Sequence, residues 1–328
     1  MIITKTPFRI SFAGGRTDVP AYYSRGYGAV LSTTIDKYVY VTLNRRFDDR
    51  IQVSYDRTEI VDDVDDLKNE IAKACLKTTG LTKGIDITTI SEIPYGTGLG
   101  SSSSFTVGLL NALYCYLGQH KEKMELASLA CDIEIAVLGH PVGKQDQYAA
   151  SIGGINFFTF NADGSVVQSP LNLSSEVISS LESRLMMFYT GIRRDASQVM
   201  DRNTEDPEKK LMILDYLRDQ AVEMRRILES EGFSPRIAEM LDEGWAQKKA
   251  FSKGISNDAI DIAYERAKAA GALGGRLLGA GGGGFLLLYC EPEKQDAVRR
   301  EVGLTQCPFK LSRSGTRVVY NASQDIVG

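Results

Sequence analysis

Pro94-Tyr95-Gly96-Thr97-Gly98-Leu99-Gly100-Ser101-Ser102-Ser103-Ser104, running straight into the apolar stretch Phe105 to Leu113, is a glycine-rich turn that feeds a helix. Three alternating glycines let the backbone fold tightly and approach a ligand, while the first helical turn offers unbonded N–H groups and the positive end of the helix dipole. The serines can cap the helix, and one hydroxyl is left over for a phosphate oxygen or a phosphate-bound cation. Capping alone needs fewer glycines, and a second cluster, Gly279-Ala280-Gly281-Gly282-Gly283-Gly284, lies near the other end of the chain. The stretch therefore reads as an anion site.

Two phosphate-holding formulas do not fit. A P-loop requires Gly-Lys-Ser/Thr, and no lysine follows Gly100. A dinucleotide fold places its fingerprint early, with an acidic residue about 20 positions on. Here the turn lies far into the chain, and Tyr114 to His120 supplies no acid. The anion is read as a nucleotide triphosphate held in a different fold.

With 328 residues, 43% of them hydrophobic and 24% charged, the chain can bury a full core and make two domains. A net charge of -4 argues against a general binder of nucleic acid or membrane surface, which needs a basic face, so any phosphate site must be local. The five cysteines are odd in number and widely spaced, with no Cys-x-x-Cys pair, and read as free thiols in a reducing cytosol. Met1 to Pro7 reads as a short strand rather than a signal peptide, and no apolar run approaches the roughly 20 residues of a membrane span. The expected location is cytoplasmic.

Hydrophobic periodicity predicts strands at 2–12, 29–43 and 84–90, with a helix from Asp65 to Lys77 between the last two. Helices follow over Ser102 to Leu117, Lys123 to Leu138 and Gln145 to Ala150, then a strand pair at Ile155 to Phe160 and Val166 to Ser169. Arg184 to Tyr189 reads as a buried strand, after which the chain is helical and charged through Ala270. Ser174 to Ser183 is the expected boundary, dividing the chain into units 1–175 and 176–328. The second unit, closed by a strand over Arg317 to Asn321, is expected to be a compact α+β domain. The charged run Asp201 to Lys210 reads as a solvated helix end and loop.

The chain resembles the GHMP small-molecule kinase superfamily over nearly its whole length. Three signatures occur in order: Pro7-Phe8-Arg9-Ile10-Ser11-Phe12-Ala13-Gly14-Gly15-Arg16-Thr17-Asp18, the Pro94 to Ser104 loop, and Leu278 to Gly284. The opening motif, Gly143-Lys144-Gln145-Asp146-Gln147-Tyr148 and the closing glycines most resemble bacterial D-glycero-D-manno-heptose 7-phosphate kinases, which carry a third glycine where this chain has Arg16. The resemblance implies an α+β, two-domain GHMP kinase fold, with a ribosomal protein S5 domain 2-like N-terminal domain and a ferredoxin-like α+β C-terminal domain. It implies an ATP-dependent phosphotransferase with Mg2+ that acts on the anomeric hydroxyl of D-glycero-D-manno-heptose 7-phosphate to supply nucleotide-activated heptose. Alternatives are a kinase of a neutral sugar such as fucose or galactose, or a non-catalytic sugar and ATP sensor of the same fold. The partners expected are ATP and a small sugar phosphate, without nucleic acid or membrane; homo-oligomerisation is left open.

Phosphoryl transfer requires placement, charge neutralisation and help in exposing the attacking oxygen. Asp146, where a loop returns to a helix, can project a carboxylate into a cleft or merely cap the helix; the resemblance makes it the proposed base. Arg9 within an apolar strand is costly unless it meets an anion, although a surface arginine on an edge strand is the ordinary explanation. By resemblance it lies near the transferred phosphate and shares or replaces the role of Asp146. Helical geometry sends Asp132 and Glu134 to opposite sides, so one of them should point inward. The resemblance pairs Glu134 with Ser102 as magnesium ligands and gives the nucleotide to Gly96, Gly98, Leu99, Gly100, Ser101, Ser102 and Ser103.

For the acceptor, Asp18 after the tight turn at Gly14-Gly15 can accept two hydroxyl hydrogen bonds, with helix capping by Thr17 or Asp18 as the competing account. The resembling kinases bind sugar hydroxyls with the aspartate of this Thr17-Asp18 pair. Gly15 is placed with the substrate, and Arg16, Lys144, Arg193 and Arg194 lie near the right motifs to meet a substrate phosphate, with an ordinary exposed basic pair as the competing reading of Arg193-Arg194. The second glycine cluster reads as a turn between two strands or between a helix and a strand. By resemblance its Gly281 and Gly282 line the site. His120 and His140 have neither metal spacing nor an evident partner, and no role is assigned to them.

Overall fold

Alternating burial along β1 (Ile2–Ala13) gives way after Lys5 to a fully buried run, so this strand is covered on both faces. It pairs antiparallel with the long β2 (Tyr27–Arg45), and a single helical turn, α1 (Pro20–Tyr23), lies in the connection. The computed structural model describes residues 1–193, 206–232 and 234–322. β2 is the spine of the first sheet. Its second half pairs with β5 (Ile85–Ser91) and its first half with β6 (Ile155–Asn161). A hairpin of β3 (Ile51–Ser54) and β4 (Thr58–Val61), which the periodicity did not predict, joins in parallel through β3 and β5. β7 (Val166–Pro170) extends the far side through β6.

Helices α2 (Glu70–Thr79), α3 (Ser101–Tyr116), α4 (Lys123–Cys131) and α5 (Gln145–Ile152) belong to this half. The helix expected to begin at Asp65 begins at Glu70, because Asn69 caps it by accepting from the Ala72 N–H; a single turn at Val64–Asp66 precedes it. Leu109, Leu110 and Leu113 of α3 share a core with Val41, Leu43, Ile85 and Ile87, while Gly108 lets the helix backbone meet Thr4 on β1. The helix expected to run from Lys123 to Leu138 is α-helical only to Cys131. A wider π-turn, Asp132–Val137, follows, with Leu138 N–H bonded to the Ile133 carbonyl five residues back.

α6 (Ser175–Arg184) occupies the expected boundary and leads into β8 (Leu185–Tyr189). Helices α7 (Pro207–Ser230), α8 (Arg236–Phe251) and α9 (Asp258–Ala269) precede the hairpin of β9 (Ala272–Leu277) and β10 (Phe285–Cys290), with α10 (Gln295–Glu301) and β11 (Thr305–Gln306) after it. The second sheet runs β11-β8-β10-β9. Phe8, Ile10 and Phe12 from the first half pack in one core with Met187, Met224, Leu241 and Leu287 from the second. Each such fully buried side chain contributes about 1.5–3 kcal/mol, so the two halves are held as one body. β12 (Leu311–Ser312) and β13 (Arg317–Asn321) then return to the first sheet, where β13 pairs with β1. The closing strand, expected to complete the C-terminal unit, thus lies on the N-terminal sheet. No helix among the described residues is long and apolar enough to cross a membrane. Arg194 and positions 201–205 of the charged run lie outside the described residues.

Candidate active site

The two glycine-rich segments meet back to back. Gly98 adopts φ +81°, and a Cβ built on it would lie 2.6 Å from the Leu278 carbonyl oxygen, so only glycine lets the loops touch here. A cavity of about 420 Å³ opens beside this contact, lined by the end of β1, the loop into α3, residues 140–143, 145 and 146, and the β9–β10 turn. Its volume suits a small ligand. Gly96, Gly98, Gly100, Ser101, Ser102 and Ser103 all line it. Gly100 precedes α3 with φ +77° and no side-chain cap, which leaves the first-turn N–H groups facing the cavity for a ligand. Leu99 is fully buried, and its carbonyl accepts from the Arg9 N–H.

Arg9 lies on an interior strand and is 4% exposed, so the edge-strand explanation does not hold. Its Nε and Nη2 donate to the two oxygens of Asp146 at 2.7 Å each, and Nη1 donates to the Gly98 carbonyl at 2.7 Å. One guanidinium thereby fixes an acid on α5 and the glycine loop at once. Both Arg9 and Asp146 line the cavity.

Glu134 points inward, as the opposite-side argument expected, while Asp132 is exposed. Its Oε2 accepts from the Ser102 and Ser103 hydroxyls, and its Oε1 accepts from the Gln147 amide. Burial pushes its pKa up against those hydrogen bonds, and the charge of Asp146 adds to the rise. No ion pair holds Glu134 among the described residues, so this carboxylate has room in its electrostatics for a cation.

Asp18 is likewise buried, with Oδ2 accepting from the Gln145 N–H at 3.0 Å. Burial raises its pKa, the Gln145 bond opposes this, and Asp146 adds to it. Thr17 does not reach the cavity. Its hydroxyl lies within hydrogen-bond reach of the Gly14 and Ala29 carbonyls, either of which can accept its one proton, and accepts from the Ala29 N–H, which locks the turn that presents Asp18.

Of the basic candidates, Arg16 lines the cavity and Lys144 does not. Lys144 donates instead to the Gly164 carbonyl and lies over the Tyr23 ring, because the helix start turns it toward the β6–β7 hairpin. Arg193 is exposed beyond β8, off the cavity lining. Gly15 and Gly281 line the cavity; Gly282 is set back, its N–H bonded to the Ile255 carbonyl. The β9–β10 turn is the strand-to-strand alternative. His140 lines the rim, with its Nε2 against Glu70 Oε1 at 2.9 Å.

The descriptions of the GHMP kinases N terminal domain and the GHMP kinases C terminal match residues 66–154 and 227–307. A D-glycero-alpha-D-manno-heptose 7-phosphate kinase of Campylobacter jejuni is 32% identical, with 96% of this chain and 98% of that protein aligned. The chain belongs to the GHMP kinase family. It is an ATP-dependent phosphotransferase with the two-domain GHMP kinase fold. A solved structure described as a D-glycero-D-manno-heptose 1-phosphate kinase from Bacteroides thetaiotaomicron superposes with a TM-score of 0.82 at 27% identity, covering 98% of this chain and 100% of that one. A more distant relative is an L-fucokinase/L-fucose-1-P guanylyltransferase of Bacteroides fragilis, 26% identical over 92% of this chain and 36% of its own length.

Sequence reasoning missed two cavity cations of this GHMP kinase, Lys248 and Arg276. Arg276 carries the signal that singled out Arg9, a charge inside an apolar strand beside a glycine motif. Lys248 lies on an amphipathic helix with other lysines and gives no such signal.

Proposed function

We propose that this GHMP kinase transfers the γ-phosphoryl group of ATP to the anomeric hydroxyl of a sugar phosphate, D-glycero-D-manno-heptose 7-phosphate, in the cytoplasm, giving the 1,7-bisphosphate that supplies nucleotide-activated heptose. The observation carrying this reading is that the uncapped start of α3, the Arg9–Asp146 pair and buried Asp18 share one cavity. The choice of acceptor is supported by the Campylobacter jejuni relative, which aligns over nearly its whole length.

In this reading the first-turn N–H groups of α3 receive the triphosphate, and Asp18 accepts hydrogen bonds from sugar hydroxyls. Asp146 takes the hydroxyl proton as the oxygen bonds to the γ-phosphorus and the bond to ADP breaks. Arg9 holds Asp146 in register and sets a fixed positive charge beside the transfer path. Ser102 and Glu134 fit a magnesium site, an oxygen pair whose buried carboxylate has no cationic partner among the described residues. Mg2+ there would neutralise phosphate charge.

A panel of phosphorylated and free heptose, fucose and galactose in a coupled ADP-release assay tests the assignment. Equal activity on unphosphorylated heptose rejects the sugar-phosphate reading, and binding of both ligands with no ADP formed favours a sensor. Glu134→Gln should raise the Mg2+ concentration for half-maximal rate by at least about tenfold; an unchanged Mg2+ titration removes Glu134 from the metal site. Gly143→Ala would set a Cβ 1.9 Å from Asp18 Oδ2. Displacing that carboxylate should lower kcat/KM for the acceptor by about 10²-fold while the KM for ATP holds, and equal losses for both substrates would contradict the role of Asp18.

A further inference from the structure

Three further cations line the same cavity, none of them in an ion pair among the described residues, although the charge of Asp18 acts on Arg16. Arg276 is 2% exposed, donates Nη1 to the Phe12 carbonyl at 2.7 Å, and leaves Nε unbonded. Lys248 is 4% exposed, and its ammonium donates to the Leu277 and Gly279 carbonyls. Arg16 donates to the Ala280 carbonyl, stacks on Phe251 with its guanidinium carbon 4.8 Å from the ring centre, and also leaves Nε unbonded. Each donates only to backbone carbonyls, and none makes an ion pair among the described residues. Arg9, by contrast, is matched by Asp146.

Burying uncompensated charge is costly. Burial pushes the pKa of Lys248 well down, and the charges of Arg276, Arg16 and Arg9 push it further. Arg16 adds backbone strain, as the one non-glycine residue with positive φ among those described, at +74°. A glycine there would be relaxed. The cost is explained if an anion completes the site. Its location favours the acceptor over the nucleotide: Arg276 Nη2 lies 3.8 Å from a Cβ built on Gly15, on the turn that presents Asp18.

We propose that Arg16, Lys248 and Arg276 form a binding site for the acceptor's own phosphate, which makes them the residues that select a phosphorylated sugar over a free one. This rests on the sugar-phosphate reading above, and two arms separate the fates of the two claims. In the kinetic arm, Arg16→Gly should lower kcat/KM for heptose 7-phosphate by about 10–100-fold, leave that for free heptose within about threefold, and leave the KM for ATP unchanged. Its Tm should hold or rise, because the strained backbone is relieved. Arg276→Lys, which keeps the charge but loses the planar fork, should show the same selectivity loss in a folded protein. An unchanged ratio between phosphorylated and free heptose in both variants, or a raised KM for ATP in place of the acceptor effect, overturns the proposal.

In the binding arm, heptose 7-phosphate and inorganic phosphate are titrated calorimetrically into protein saturated with a non-hydrolysable ATP analogue, so that the nucleotide's phosphates are already placed. Phosphate-dependent binding by wild type that is lost in Arg16→Gly supports the site even if no sugar phosphate turns over, in which case only the substrate reading falls. Absence of binding by both probes to wild type removes the proposed site.

Discussion

Asp146→Asn is expected to lower kcat by about 10²–10⁴-fold with the KM for ATP nearly unchanged. Asparagine keeps the shape and can still accept one bond from Arg9, but it cannot take a proton. Its carboxylate parent is bonded to Arg9 through both oxygens, each of which retains a second lone pair for a hydroxyl proton. Arg9→Ala is expected to cost comparably, about 2.7–4 kcal/mol of transition-state stabilisation, because it removes the positive charge and frees both Asp146 and the Gly98 carbonyl. The contrast between the two decides the chemistry. If Asp146→Asn turns over normally while Arg9→Ala does not, proton transfer to the aspartate is not required and the guanidinium alone activates the hydroxyl. Melting curves for both variants separate a catalytic loss from unfolding of a buried ion pair.

Gly98→Ala is the second large expected effect. The left-handed backbone costs a non-glycine residue about 1–2 kcal/mol. A Cβ would also sit 2.6 Å from the Leu278 carbonyl, which belongs to the strand-to-turn backbone and has no easy retreat. The two glycine loops must then separate, the bond from Arg9 to the Gly98 carbonyl is strained, and the α3 end no longer faces the cavity squarely. We expect kcat/KM for ATP to fall by on the order of 10²-fold. Gly80→Ala is the control: it adopts φ +75° at the end of α2 with nothing within 4 Å of its built Cβ. It should lose about 1–2 kcal/mol of stability and keep its kinetics. If Gly98→Ala behaves like Gly80→Ala, the loop contact plays no part in nucleotide binding.

The features readable from residues alone are those governed by local chemistry. Alternating glycines before serines announce an open helix start, strict apolar runs announce the interior strands, and the spacing of Asp132 and Glu134 announces that one faces inward. What was not readable depends on long-range packing. Nothing local says that Asp132–Val137 widens into a π-turn, the segment that carries the Glu134 bonded to Ser102. Lys144 and Arg193 have the right charge beside the right motifs, yet Lys144 at the start of α5 is bonded to the Gly164 carbonyl and Arg193 falls off the cavity lining. Arg276 and Lys248 reach it because β9 and α8 pack against the first sheet, 264 residues apart in the contact from Arg276 to Phe12.

The return of β13 to β1 carries a consequence for the birth of the molecule. Ile2 pairs with Asn321, and the Thr6 hydroxyl bonds that of Thr316. The first residues of the strand bearing Arg9, Ile2 to Lys5, therefore keep one flank bare until β13 has been made and can fold back, an exposed edge that invites wrong partners. A product whose translation stops short of Arg317 is left with that adhesive edge.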